Sequence, residues 1–331
     1  MANFMKKAEK IARHIRSLYR LGSGKFPSCP LIFPENRNVN RFWVRFSWLC
    51  ASCLIFWLAA SPINRSLAHE VWIEPAAPYL SLGEDLLADL RIGDMFSGDH
   101  LIYIPQQTER LLILTAGGSL DLTPRVGTRP VISVPAKKLA DYSGNLVAVY
   151  QSANSYAHYS AKEKFFSFAE KKGASGVRQA HKSRQLPDSG FVERYKRFAK
   201  AMITIVPASG KTSGKDGEVI HDRIVGMELE FLLLGKTQLS PSRQTFRFQL
   251  LYQGDLLPGA QVTLFSRDRD GAVASSKVMT DEQGAFSVVA EAGHRYLVDH
   301  VTLRHANPAR DRKQPVWESL WTSYTFAGPE L

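Results

Sequence analysis

Residues 245–254, TFRFQLLYQG, alternate apolar with polar side chains and end on a glycine. A period of two is what a strand with one buried face requires. The pattern recurs in QVTLFSRD (261–268), SSKVMTD (275–281), AFSVVAEAG (285–293), RYLVDHVTLR (295–304) and LWTSYTF (320–326). Six short runs at this spacing predict a small β-sandwich. LLPGA and TDEQGAF fall between runs, which puts Gly259 and Gly284 where the chain reverses and a positive φ is useful.

Moving towards the amino terminus, LLADLRI (86–92), HLIYI (100–104) and RLLILTA (110–116) read the same way, punctuated by Gly83, Gly93, Gly98, Gly117 and Gly118. The period changes over residues 160–172, where Phe165, Phe166, Phe168 and Ala169 cluster as on a helix face. A second helix is expected over 191–201. The polar, turn-rich stretches 173–190 and 207–223 read as loops. The expected fold is mostly β: two Ig-like β-sandwich domains, 69–235 with a helical insertion at about 160–201, and 236–331, the boundary lying near 235–240.

The chain of 331 residues has a formal charge of +11. Residues 1–68 hold 11 Lys or Arg against two acids, Glu9 and Glu35, so the remainder carries 31 bases and 29 acids. Nearly neutral, that remainder lacks the basic footprint of a nucleic-acid-binding protein. Cys29, Cys50 and Cys53 also precede residue 69. A chain starting there has no disulfide, thiolate metal site or cysteine nucleophile.

A basic stretch ending at Arg45 precedes FSWLCASCLIFWLAA (46–60), uncharged and of signal-peptide length, followed by Pro62 and the small-residue site Ser66-Leu67-Ala68. Cleavage after Ala68 would release a periplasmic protein beginning at His69, touching the membrane only through the signal peptide before cleavage. An uncleaved anchor over 42–60 is the alternative, and a lipid attachment at Cys53 a weaker one, because the apolar run continues past it.

HEVWIEP (69–75), LRIGDMFSGD (90–99), ERYKRFAKAMITI (193–205), VGMELE (225–230), TDEQGAF (280–286) and VWESLWTSYTF (316–326) together resemble the periplasmic domain-of-unknown-function family 4198. That resemblance implies a nickel or cobalt uptake accessory protein working with an envelope transporter component. YQGDLLPGAQVTLF (252–265) with TDEQGAF separately resembles the carboxypeptidase-regulatory-like sandwich, a module with no fixed chemistry.

After cleavage His69 would offer an imidazole and an α-amine, two nitrogen ligands in one chelate. The plainer reading is that His69 merely begins the first strand. Val71 occupies the third mature position, where the usual amino-terminal copper and nickel motif has histidine, so further ligands must come from elsewhere. His300 is the expected partner, on the strand face of Val298 and Thr302 with Asp299 opposite; a hydrogen-bonded inter-sheet histidine is the competing reading. His294 is too far along the strand to share its ion. His100, His158, His181, His221 and His305 read as turn or loop residues. Trp72, Glu74, Tyr195 and Glu318 are possible supporting residues, and Arg197, Lys200, Glu228, Glu230 and Trp317 also fall in the motifs. GxSxG, HExxH, GxxxxGK and EF-hand patterns do not occur, so no enzyme is expected.

Nitrogen and oxygen ligands favour Ni(II), Co(II) or Cu(II), giving a metal-binding or uptake accessory protein. The reading from another class is a non-catalytic envelope interaction or glycan-binding module without metal. A copper oxygenase at His69 is a remote third, since no second histidine pair is evident.

Overall fold

The computed structural model describes residues 69–140, 142, 144–206 and 222–330. The signal peptide, its cleavage site, the three cysteines and most of the 207–223 stretch lie outside the described residues. The described residues fall in one compact unit.

Three β layers make up the fold. The central sheet has ten strands: β2 (Tyr79–Ser81), β5 (Thr108–Thr115), β6 (Gly118–Asp121), β8 (Gly144–Ser152), β9 (Ser155–Tyr159), β10 (Phe191–Val206), β14 (Gln261–Arg267), β15 (Val273–Met279), β17 (Arg295–His305) and β18 (Trp317–Ala327). One outer sheet holds β1 (Glu70–Pro75), β3 (Leu86–Asp94), β4 (Ser97–Leu101) and β7 (Ile132–Val134). The other holds β11 (Leu229–Ser240), β12 (Arg243–Tyr252), β13 (Asp255–Leu256) and β16 (Ala285–Glu291). The mostly β class and the sandwich packing agree with the sequence, with two sandwiches sharing the central sheet.

Alternation along β10 shows how the layers are specified. Ala199, Ala201, Ile203 and Ile205 pack on a front face against Val71, Ile73, Ala88 and Leu90 of the first outer sheet. Phe198 and Met202 point to the back face and join Leu229, Phe231, Phe246 and Phe248 of the other. β18 is buried throughout its 11 residues, and its polar residues Glu318, Ser319 and Ser323 are hydrogen-bonded within the fold. β10 and β18 run parallel in register, Tyr195 beside Ser319 and Arg197 beside Trp321.

The helix expected at 160–172 is α1 (Lys162–Lys171). The second expected helix is a correction: residues 191–201 belong to strand β10, with hydrogen-bonded neighbours on both sides. Glu, Arg, Lys and Ala favour a helix locally, but pairing with β18, β8 and β9 overrides a propensity of tenths of a kcal/mol per residue, about 0.7 at most. The 173–190 stretch, read as a loop, contains α2 (Val177–Ser183), whose Val177 and His181 are buried. Gly235 lies at a register shift within β11, so the 235–240 region is a bulged strand paired to β12. Strands from both sides of it meet in the central sheet.

Candidate functional site

The front face beyond the first outer sheet is covered by α1, whose Phe165, Phe166 and Phe168 pack with Tyr159, Phe191, Trp317 and Trp321. Phe168 stacks flat on Trp321, ring centres 5.0 Å apart. Lys172, just past the helix end, runs back over the Trp321 ring with Nζ 5.0 Å from its centre. Nζ there donates to Glu70 Oε1 and to Asp299 Oδ2, each at 2.6 Å. The three side chains are 4%, 1% and 2% exposed. β1, the end of α1 and β17 thus meet at one buried cation between two carboxylates. Burial, then the neighbouring Asp299, push the Glu70 carboxyl above its ordinary value. Burial would pull the Lys172 amine down, but Asp299 and Glu70 outweigh it and hold it above the ordinary value.

His69 adjoins this cluster. It is half-buried, one residue before β1, and its carbonyl accepts from Arg197 Nη2 at 3.4 Å. That guanidinium lies over Tyr195 at 4.5 Å and beside Trp321 at 5.9 Å. His300 is engaged elsewhere. Its Nδ1–H donates to the Gln261 carbonyl at 2.8 Å, which leaves Nε2 to accept from the Thr302 hydroxyl at 3.0 Å. Both nitrogens are therefore used within the chain, while Asp299, on the opposite face of β17, joins the lysine cluster. Burial pulls His300 below its ordinary value, so it is a neutral, hydrogen-bonded histidine. Among the described residues no group of three or more His, Cys, Asp or Glu is arranged to hold a metal ion.

Residues 66–303 match the family model described as Domain of unknown function (DUF4198). The chain belongs to the DUF4198 family. No curated protein matches it. Among solved structures it is similar to a tetra-tandem repeat from the extending region of a large adhesion protein, at 9% identity and a TM-score of 0.20, covering 78% of this chain and 49% of that one. A DUF4785 family protein from Legionella pneumophila gives 8% identity and a TM-score of 0.19, covering 69% of this chain and 51% of that one. The chain thus spans about half the length of these structures.

The supporting residues named from the DUF4198 motifs fall in separate places. Trp72 donates to Glu74 at 3.3 Å, and Glu74 bridges the outer and central sheets by pairing with Arg267 at 2.8 Å, with Arg91 and Arg295 farther off. Arg267 and Arg295 face each other across β14 and β17, so this carboxylate relieves a like-charge pair. Glu318 accepts from Arg194 at 2.8 Å and from Arg304 at 2.6 Å on the back face. Tyr195 is linked to His69 through Arg197. His181, read as a loop residue, is buried and accepts from Trp317 Nε1 at 3.1 Å.

A second buried lysine occupies the back face of this DUF4198 fold. Lys200 Nζ is 2.8 Å from Asp222 Oδ1 and 2.8 Å from Glu230 Oε1. These acids have backbone donors as well: Leu233 N–H to Asp222, and Val225 and Met227 N–H to the two oxygens of Glu230. Glu70, Lys172 and Asp299 escaped the sequence reading. The available signals were a charge inside the apolar run YLVDHV and an acid at the first residue of a buried strand.

Proposed function

We propose that the chain is an exported, non-catalytic binding protein of the bacterial periplasm that captures a divalent transition metal, nickel, cobalt or copper, at the amino terminus left by cleavage after Ala68, for delivery to an envelope transporter component. The observation that carries this reading is the anchoring of β1. Its first residue is held by Lys172, Val71 and Ile73 are buried in the core, and six consecutive residues pair with β3. His69 is therefore one residue from a fixed support, with its own carbonyl bonded to Arg197. An amine and imidazole held on such a support lose less conformational freedom on binding than the same pair on a frayed tail. His300 supplies no ligand here; water or the delivery partner completes the coordination.

Calorimetry with Ni(II) and Cu(II) tests the reading on chain purified with His69 first. One ion per chain should bind, more weakly as pH falls, because both nitrogens must be deprotonated. One extra residue before His69 should abolish the site by turning the amine into an amide. Equal binding by the extended chain, or none at either terminus, overturns it.

The second reading, an interaction module without metal, has β15 in its favour. Among the described residues that strand ends the central sheet, pairs only with β14, and is largely exposed. An unpaired edge can accept a strand from a partner.

A further inference from the structure

We propose that Lys172 and Asp299 become joined by an intramolecular isopeptide bond, with Glu70 carrying the proton between them. The reacting groups are already in contact: Nζ lies 2.6 Å from one oxygen of each carboxylate, and all three side chains are nearly sealed from water. Each is fixed by a different element, β1, the end of α1 and β17, so no chain entropy remains to be lost on reaching the reactive geometry. Holding reactants in this way is worth many orders of magnitude in rate. The last cysteine is Cys53, so no disulfide can staple these segments, which lie 102 and 127 residues apart in sequence.

Glu70 is suited to the relay. Its Oε1 faces the amine, while the buried Oε2 accepts no hydrogen bond from another described residue and can hold a proton. Burial and the charge of Asp299 both favour that protonated form. The step begins when one proton moves from the Lys172 ammonium to the Asp299 carboxylate, leaving an amine, an acid and the Glu70 carboxylate, which is free to take the next proton. Nζ attacks Cγ of protonated Asp299, forming an N–C bond. Glu70 takes a proton from the nitrogen and returns it to the departing hydroxyl as the C–O bond breaks. In sum, ammonium and carboxylate give amide and one water, with no oxidant and no change of net charge.

The Lys200 cluster is the internal control. Every carboxylate oxygen of Asp222 and Glu230 is engaged by Lys200 or by one of three backbone N–H groups, so none is left to carry a relay proton and no bond is expected there.

Mass spectrometry of a tryptic digest of the purified, denatured chain decides the matter. A bonded chain gives KGASGVR (172–178) joined to YLVDHVTLR (296–304), lighter by one water than the two separately, and the intact chain shows the same deficit. In Glu70→Gln, with its fold checked by circular dichroism, the two peptides should separate. Free GASGVR (173–178) and free YLVDHVTLR from folded wild-type chain after prolonged incubation would overturn the bond. A link to Glu70 in place of Asp299, or an undiminished link in Glu70→Gln, would overturn the roles given to the two acids.

Discussion

The two faces of the central sheet treat buried charge differently. On the back face, Lys200 meets Asp222 and Glu230, which come from within 30 residues of it and are held by backbone N–H groups as well as by the lysine. On the front face, Lys172 meets Glu70 and Asp299 from distant segments, and the second oxygen of Glu70 has no other partner among the described residues. The same division separates Glu318, on the back face between two arginines, from Glu193, on the front face with only hydroxyl donors. Glu318 is held below its ordinary value by its two arginines, whereas burial pushes Glu70 and Glu193 above theirs, and it is the face of those two that carries His69 and the reactive triad.

The largest test of this contrast removes each lysine. Lys172→Met removes the cross-link and leaves Glu70 and Asp299 buried without their shared donor, and should cost at least about 3–5 kcal/mol in urea unfolding. Lys200→Met should cost less, roughly 1–3 kcal/mol, because Leu233, Val225 and Met227 still donate to the acids it leaves. Equal losses would mean that backbone donors do not distinguish the faces.

How much of this was legible follows from the range of each interaction. LLADLRI and RLLILTA match β3 and β5, QVTLFSRD matches β14, and RYLVDHVTLR falls in β17, because period-two alternation is a local consequence of one face being buried. β10 was misread because its neighbours, β18 above all, lie far away in sequence, while its Glu, Arg, Lys and Ala content is locally helical. The expected facing of His300 with Val298 and Thr302 holds, but its Gln261 partner is a backbone carbonyl that no side-chain pattern reveals. Glu70, Lys172 and Asp299 each looked like an ordinary charge. Only the meeting of three segments makes them a cluster.

Glu318→Gln tests the back face at its edge. Arg194 and Arg304 bond to this carboxylate and outweigh its burial, keeping its pKa below the ordinary value. A folded pKa below the unfolded one means stability that is present above the ordinary glutamate range and lost as pH falls through the folded value. Wild type should therefore exceed Glu318→Gln by about 1.5–3 kcal/mol at neutral pH, the scale of hydrogen bonds to a charged group, and the gap should close on acidification. A gap independent of pH would show that packing, not charge, is what the substitution removes.

The smallest effect should have the opposite sign. Glu193 is wholly buried, and that burial raises its carboxyl above the ordinary value although Tyr159 and Ser319 donate to it. The ionised group presses back on Tyr159, whose phenol is driven far above its usual range by burial and by that same carboxylate. With the folded pKa raised, the stability due to Glu193 is fully present below the ordinary glutamate range and lost as pH rises through the folded value. Glu193→Gln should thus cost about 1 kcal/mol or less in acid, where a neutral amide replaces a neutral acid, and the difference should move in the variant's favour as pH rises. Thermal unfolding of both chains across a pH series reads this directly. If instead wild type gains on Glu193→Gln with rising pH, as expected for Glu318, the front face holds its acids as firmly as the back, and the contrast between the two faces fails.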